Sequence, residues 1–189
     1  LKESMKIDGE LNESVWQRAV EFSGFHNFYP NDIGLAQNKT RVKVFHDGKY
    51  VYISAIYYDT VKENKVSSLK RDSHGNLIVS SDAFGMVFDP FNKKSNGYYF
   101  GVNSKNAQFD ALVNFNGTNY DFNESWNTVW KSQTTTKGTQ KIYEIAIPFK
   151  AFGYDVNNPV WGIQFFIRDF KANKWMTLTD VSRNYIQFD

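Results

Sequence analysis

The sequence contains no cysteine in its 189 residues. That absence excludes a disulfide framework, thiolate zinc ligation and a thiol nucleophile together. Histidine is scarce, with three copies, and His26, His46 and His74 sit beside no recognisable nucleophile motif, which argues against Ser-His-Asp catalysis. No apolar run approaches the roughly 18–20 residues that span a bilayer as a helix. No single charge sign dominates either. The formal net charge is +2, and the 22 Lys and Arg are scattered rather than gathered into a phosphate-tracking stripe, so nucleic acid is excluded as the expected partner. No signal peptide is visible, and the opening Leu1-Lys2-Glu3-Ser4 reads as a trimmed start from which an address has been removed. Proline occurs only four times, and Pro90, Pro148 and Pro159 lie at the ends of alternating segments, where a missing N–H costs no ladder bond.

Aromatic residues, by contrast, are abundant: five Trp, eleven Tyr and seventeen Phe. They favour strands, and Tyr and Trp also favour wet binding surfaces. Period-two alternation runs from Thr40 onward. Thr40 to His46 and Tyr50 to Tyr58 flank the turn Asp47-Gly48-Lys49 and predict a hairpin. Further strands are predicted at Ala83 to Asp89, Tyr98 to Asn103, Gln108 to Asn114, Lys141 to Ile147 and Trp161 to Arg168. A short helix is predicted over Glu13 to Ala19, with Asn12 as N-cap. The pattern is that of one all-β domain over residues 1–189, an antiparallel, jelly-roll-like β-sandwich with one N-terminal helix and no internal repeat. Two long loops, Asp59 to Ile78 and Phe115 to Asn127, interrupt it, and loops of that length are often functional.

Taken together, several ordered pieces resemble the family-9-like carbohydrate-binding modules. The opening Ile7-Asp8-Gly9-Glu10-Leu11-Asn12-Glu13-Ser14-Val15-Trp16 is similar to their "I-D-G-x-L-D-E-x-x-W" start, which is shared with the N-terminal domain of a group of bacterial outer-membrane proteins of uncertain function. In order there follow Arg71-Asp72, Asp82 leading to Phe88-Asp89-Pro90-Phe91, Tyr99-Phe100-Gly101-Val102-Asn103, Asp110, and Ser125-Trp126-Asn127 before Trp130. Glu144-Ile145-Ala146-Ile147-Pro148-Phe149 and Trp161-Gly162 through Arg168 complete the set. The chain departs from the family opening at Asn12, where Asp is usual. The resemblance implies a β-sandwich and, for the true carbohydrate binders, a sugar held between aromatic rings, often with structural calcium. It also implies an exported protein (periplasmic, outer-membrane or secreted) and an oligosaccharide or polysaccharide as partner. A C-terminal barrel or catalytic domain of the same protein is the other partner it implies.

A sugar site needs flat aromatic faces for the C–H surface of a pyranose and planar polar groups for its hydroxyls. Trp126, in the Asn-rich loop, and Trp175, in a late turn, are the expected platform; Trp16, as a plug at one end of the sandwich, Trp130 and Trp161 are expected in the core. Glu144, Gln164, Arg168, Asn103 and Asp110 are read as facing away from the apolar stripes. The expected polar contacts are Asn103, Asp110, Glu144, Arg168 and the loop residue Arg71, the two Arg offering forks suited to vicinal hydroxyls or a sugar carboxylate. The alternative for Arg168 is an ion pair with Glu144 or Asp110. Asp82, Asp89, Asp110 and Glu144 supply carboxylates in principle for hydrolysis, but nothing in the sequence singles out a pair, and no catalysis is expected. No Asp-x-Asp-x-Asp-Gly pattern names calcium ligands, and Met5, Met86 and Met176 are the only sulfurs open to haem. Four Asn-x-Ser/Thr sequons, at Asn12, Asn38, Asn116 and Asn123, bear on a glycosylating host only.

Overall fold

The computed structural model describes residues 5–73, 75–115, 120–157 and 159–182, with the backbone alone at 75 and 76. After a short helix α1 (Val15–Arg18), the chain forms β1 (Val20–Ser23), β2 (His26–Tyr29), β3 (Thr40–His46), β4 (Tyr50–Tyr58), β5 (Ala83–Asp89) and β6 (Asn96–Asn103). Then come β7 (Gln108–Phe115), β8 (Tyr120–Asn123), β9 (Lys131–Lys137), β10 (Gln140–Pro148), β11 (Gly162–Asp169) and β12 (Lys174–Thr177). All the strand pairs are antiparallel. A five-stranded sheet, β1-β3-β4-β10-β9, faces a seven-stranded one, β2-β12-β11-β5-β6-β7-β8. The all-β sandwich expected from the alternation is therefore what the chain forms. No helix among the described residues is long and apolar enough to cross a membrane.

The inner faces meet as alternation requires. Val42, Ile53, Ala55, Tyr57, Tyr143, Ile145 and Ile147 from one sheet pack on Phe84, Met86, Phe88, Phe100, Val102, Phe165 and Ile167 from the other. The outer faces, which alternation alone would leave to water, are covered as well. On the five-stranded sheet, Trp16 lies with Tyr52 and Ala146 and is joined by Ile7, Leu11 and Phe45. Trp16 thus covers a sheet face and does not plug an end of the sandwich. On the seven-stranded sheet a second apolar cluster holds Leu77, Ile78, Tyr99, Phe109 and Val113. The long loop after β4 supplies it, closing in a π-helical turn at Gly75–Val79.

Two glycines fit that cover onto the sheet. Gly85 and Gly101 are directly paired across β5 and β6. A Cβ on Gly85 would lie 2.2 Å from the Phe166 ring, and one on Gly101 would lie 2.6 Å from the Ile78 side chain. The hollow over the two glycines is therefore filled from within the chain.

Several boundaries differ from the expectation. The helix covers four residues, its N-cap is Ser14 rather than Asn12, and it has no side-chain cap bond. β6 starts two residues earlier than predicted, and β10 runs on to Pro148. The second long loop contains β8, while 116–119, with the sequon at Asn116, lie outside the described residues, as does His74.

Candidate functional site

The opening motif and the Glu144 segment form one unit. The backbone N–H groups of Asp8 and Gly9 donate to Glu144 Oε2 at 3.0 and 2.9 Å, and the Trp16 indole donates to Oε1 at 3.2 Å. Gly9 is required here: its φ is +82°, and a Cβ would meet Thr135 Oγ1 at 2.2 Å. Glu144 is fully buried, and burial pushes its carboxyl up to about 7, against the pull of those donors. Glu144 therefore anchors the N-terminal cover to the sheet and does not present a carboxylate to solvent.

The Arg71–Asp110 pair is likewise internal. β7 pairs Asp110 with Phe100, so its side chain points between the sheets rather than outward as expected. There it accepts from the Trp130 indole at 3.0 Å, from the Thr128 N–H at 2.8 Å, and from Arg71. Arg71 also donates to Gln108 and to the Thr128 carbonyl, and Asn127 donates to Asp72. Desolvation raises the Asp110 carboxyl above its ordinary range despite these partners. The knot joins the two long loops to β7, and it uses Trp130 as core, as expected.

Asn103 and Arg168 are also committed. Asn103 accepts from the Lys105 and Ala107 N–H groups and donates to the Ser68 carbonyl, fixing the β6–β7 turn. Arg168 pairs with neither Glu144 nor Asp110. It donates to the carbonyls of Val79 and Lys174 and to Asn173, which ties the π-helical turn to β12. Desolvation lowers its pKa from the ordinary arginine value. The expected outer-face patch does not assemble, because Glu144 belongs to the other sheet.

Of the two platform tryptophans, Trp126 packs inward, with its ring centroid 5.3 Å from Tyr98 and 5.9 Å from Phe100. Trp175 packs outward on Phe166 at 5.8 Å, under the Arg168 guanidinium at 5.3 Å. Both are half-buried, and they lie on opposite faces of the same sheet, so they share no cleft.

The two ends of the sandwich differ sharply. At one end Lys141 is buried between Asp59 at 2.6 Å and Asp82 at 2.9 Å. Asp82 also accepts from the Lys65 and Phe170 N–H groups, and the Tyr57 hydroxyl donates to Asp169 at 2.7 Å. Burial opposes the Lys141 charge, but the two carboxylates outweigh it and hold its pKa above the ordinary value. Asp89 caps the turn after β5 by accepting from the Phe91 and Lys94 N–H groups. The four carboxylates considered for hydrolysis are thus spread over separate structural roles.

Calcium needs several oxygen ligands around one point. Among the described residues no group of three or more His, Cys, Asp and Glu side chains is placed to hold a metal ion, and Asp59 and Asp82 converge on the Lys141 ammonium instead. These residues do not fit a calcium cage. Met86 and Met176 are buried in the inter-sheet core.

At the other end the sheets part. A groove of about 770 Å³ opens between β1 and β3 on one side and β11 with the segment after β10 on the other. Trp161, Tyr154, Phe149, Val20, Val44 and Ile163 are among its walls, and Arg18, His46 and Asp155 also line it. Trp161, expected in the core, packs against Phe88, Phe149, Phe152 and Tyr154 and is only half-buried. Its place just before β11, in a Pro- and Asn-rich stretch, is the one sequence signal that it lies at a sheet end.

Two packed antiparallel sheets with covered outer faces define an all-β sandwich, and an aromatic groove opens at one end of it. The chain belongs to the carbohydrate family 9 binding domain-like family, whose profile matches residues 7–185. Among solved structures it is similar to a family 9 carbohydrate-binding module of Caldicellulosiruptor kristjanssonii in complex with cellotriose. The two share 16% identity over 98% of this chain and 85% of that one, with a TM-score of 0.64. A glucose complex of a family 9 module from that organism gives 17%, 98%, 87% and 0.64. A Bacteroides uniformis protein, provisionally described as carbohydrate-binding, gives 8%, 91%, 82% and 0.69. At these identities the likeness establishes the fold. No curated protein matches the chain.

Proposed function

We propose that this domain is a non-catalytic glycan-binding module of an exported bacterial protein. Membership of the family over residues 7–185 is the observation that carries the reading. The complexes of similar modules with cellotriose and glucose support it, as does the aromatic excess. In this reading Arg71, Asn103, Asp110, Glu144 and Arg168 build the scaffold, and ligand contact falls to a half-buried aromatic ring, for which Trp126, Trp161 and Trp175 are the candidates. Calorimetric titration against a panel of oligosaccharides tests it: measurable heat at millimolar glycan is expected, and none for any glycan removes the proposal.

One observation favours a second reading, a structural or interaction domain attached to an outer-membrane barrel. The polar candidates have internal partners, and both outer sheet faces are covered by the chain itself. The full-length gene product separates the two. A downstream run of roughly ten-residue amphipathic strands marks a barrel, whereas a downstream catalytic domain favours the glycan role.

A further inference from the structure

The groove between the parted sheets has a floor of core residues, Val51 and Phe88 among them, and a rim of side chains open to solvent. Exposed apolar side chains occur singly elsewhere, such as Leu69 and Val129, but at this end they gather: Val20 is 62% exposed, Val156 75%, Val160 61% and Tyr154 42%. Three of these four line the groove, and Val160 adjoins Trp161. The volume, about 770 Å³, lies within the roughly 300–1,000 Å³ of small-ligand sites.

Aromatic packing holds the walls. Trp161 is set against Phe152 at 5.1 Å, Tyr154 at 5.5 Å and Phe149 at 5.6 Å, and His46 stands edge-on to Phe149 at 5.6 Å. Polar residues line the groove from three separate elements: Arg18 from the last turn of α1, His46 from the end of β3, and Asp155 from the segment before β11. The side chains of Arg18 and His46 make no hydrogen bond to the described residues, and Asp155 gives one oxygen to the Asn157 N–H at 2.9 Å. At the Arg71–Asp110 knot and the Lys141 end, by contrast, cationic side chains are paired internally with aspartates.

From this we infer that the groove is the sugar site: a pyranose ring lays its C–H face on Tyr154 and Trp161, with its hydroxyls reached by Arg18, His46 and Asp155. The inference rests on the glycan-binding reading above and names its location. A sugar uses both features of the groove, apolar walls and polar tips. A purely apolar peptide segment would use only the first.

Titration calorimetry of the wild-type domain, Tyr154→Ala and His46→Ala with cellotriose and other neutral oligosaccharides is the test. Each variant's thermal melt is recorded to verify folding. The expected result is binding by the wild type, at least about tenfold weaker binding by Tyr154→Ala and about threefold weaker binding by His46→Ala, at unchanged melting temperature. Wild-type binding that Tyr154→Ala leaves intact places the sugar elsewhere and overturns the inference while the glycan function stands. Trp175→Ala is titrated alongside, and a loss confined to it does the same and puts the sugar on the outer sheet face. If no glycan binds the wild type, the function and the inference fall together. Protection of the groove by an apolar peptide in that case makes it a protein-docking surface.

Discussion

The two ends of the sandwich are built from the same strands and have opposite characters. β4, β10, β5 and β11 each run from one to the other. At the sealed end, the buried Lys141 ammonium lies between Asp59 and Asp82, and the buried Asp169 carboxylate accepts from the Tyr57 hydroxyl and the Ala172 N–H. At the open end, Val51, Phe149, Phe88 and Ile163 line a groove that opens to the surface. A buried charge tolerates no vacancy, because each unpaired ion costs several kcal/mol of desolvation, so the sealed end must stay closed. Apolar and aromatic walls carry no such penalty, and an opening there leaves surface that a ligand can cover. Residue type alone therefore does not mark a site; whether the group already has a partner does.

Four experiments bear on that contrast, in order of falling effect. Lys141→Met should destabilise the domain by roughly 3–5 kcal/mol, since it leaves the Asp59 and Asp82 carboxylates buried without their cation. Urea unfolding reads this, and adding Asp59→Asn and Asp82→Asn should recover much of the loss. A single-variant cost below about 1 kcal/mol would show that water reaches the sealed end too.

Glu144 extends the contrast to the covered sheet face. Its folded pKa is raised to about 7 from the ordinary 4.5, so the protonated carboxyl is the form the folded site favours. The stabilisation it gives is complete below pH 4.5 and is lost as pH rises through about 7. The size is on the order of 3 kcal/mol. Unfolding free energy measured from pH 4 to 8 should fall across that window, and Glu144→Gln should flatten the fall. A wild-type slope that Glu144→Gln leaves unchanged would assign it to another group.

Filling the glycine hollow is a smaller insult. Gly85→Val must displace the Phe166 ring and should cost roughly 1–3 kcal/mol by overpacking. A neutral result would mean that the outer cover lifts easily. At the groove, Tyr154→Ala should change stability by no more than about 0.5 kcal/mol, because the side chain is 42% exposed and lies outside the buried core. A larger loss would make the open end part of the core.

Much of the fold could be read before any coordinates. β3, β4 and β5 lie where alternation places them, and Ile145, Ile147, Phe165 and Ile167 face the core. The strands that alternation missed explain themselves. β1, β2, β8 and β12 are four residues each, and β9, Lys-Ser-Gln-Thr-Thr-Thr-Lys, has no apolar residue to alternate. The candidate site was far less legible. Parity along a strand assigned Glu144 and Arg168 to the face away from the core, which is correct. It could not say that Gly9 and Trp16 cover one and the π-helical turn the other.

What the sequence by itself determined was the all-β class, the family opening and the inward set of each strong strand, because period-two patterning is a local property of the chain. Only the tertiary structure decided which strands share a sheet, which polar groups are spent on internal partners, and that Trp161 and Tyr154 stand at an open end while Lys141 closes the other. Those outcomes depend on contacts between residues far apart in the chain, such as Lys141 with Asp59 and Asp82, and local periodicity carries no record of them.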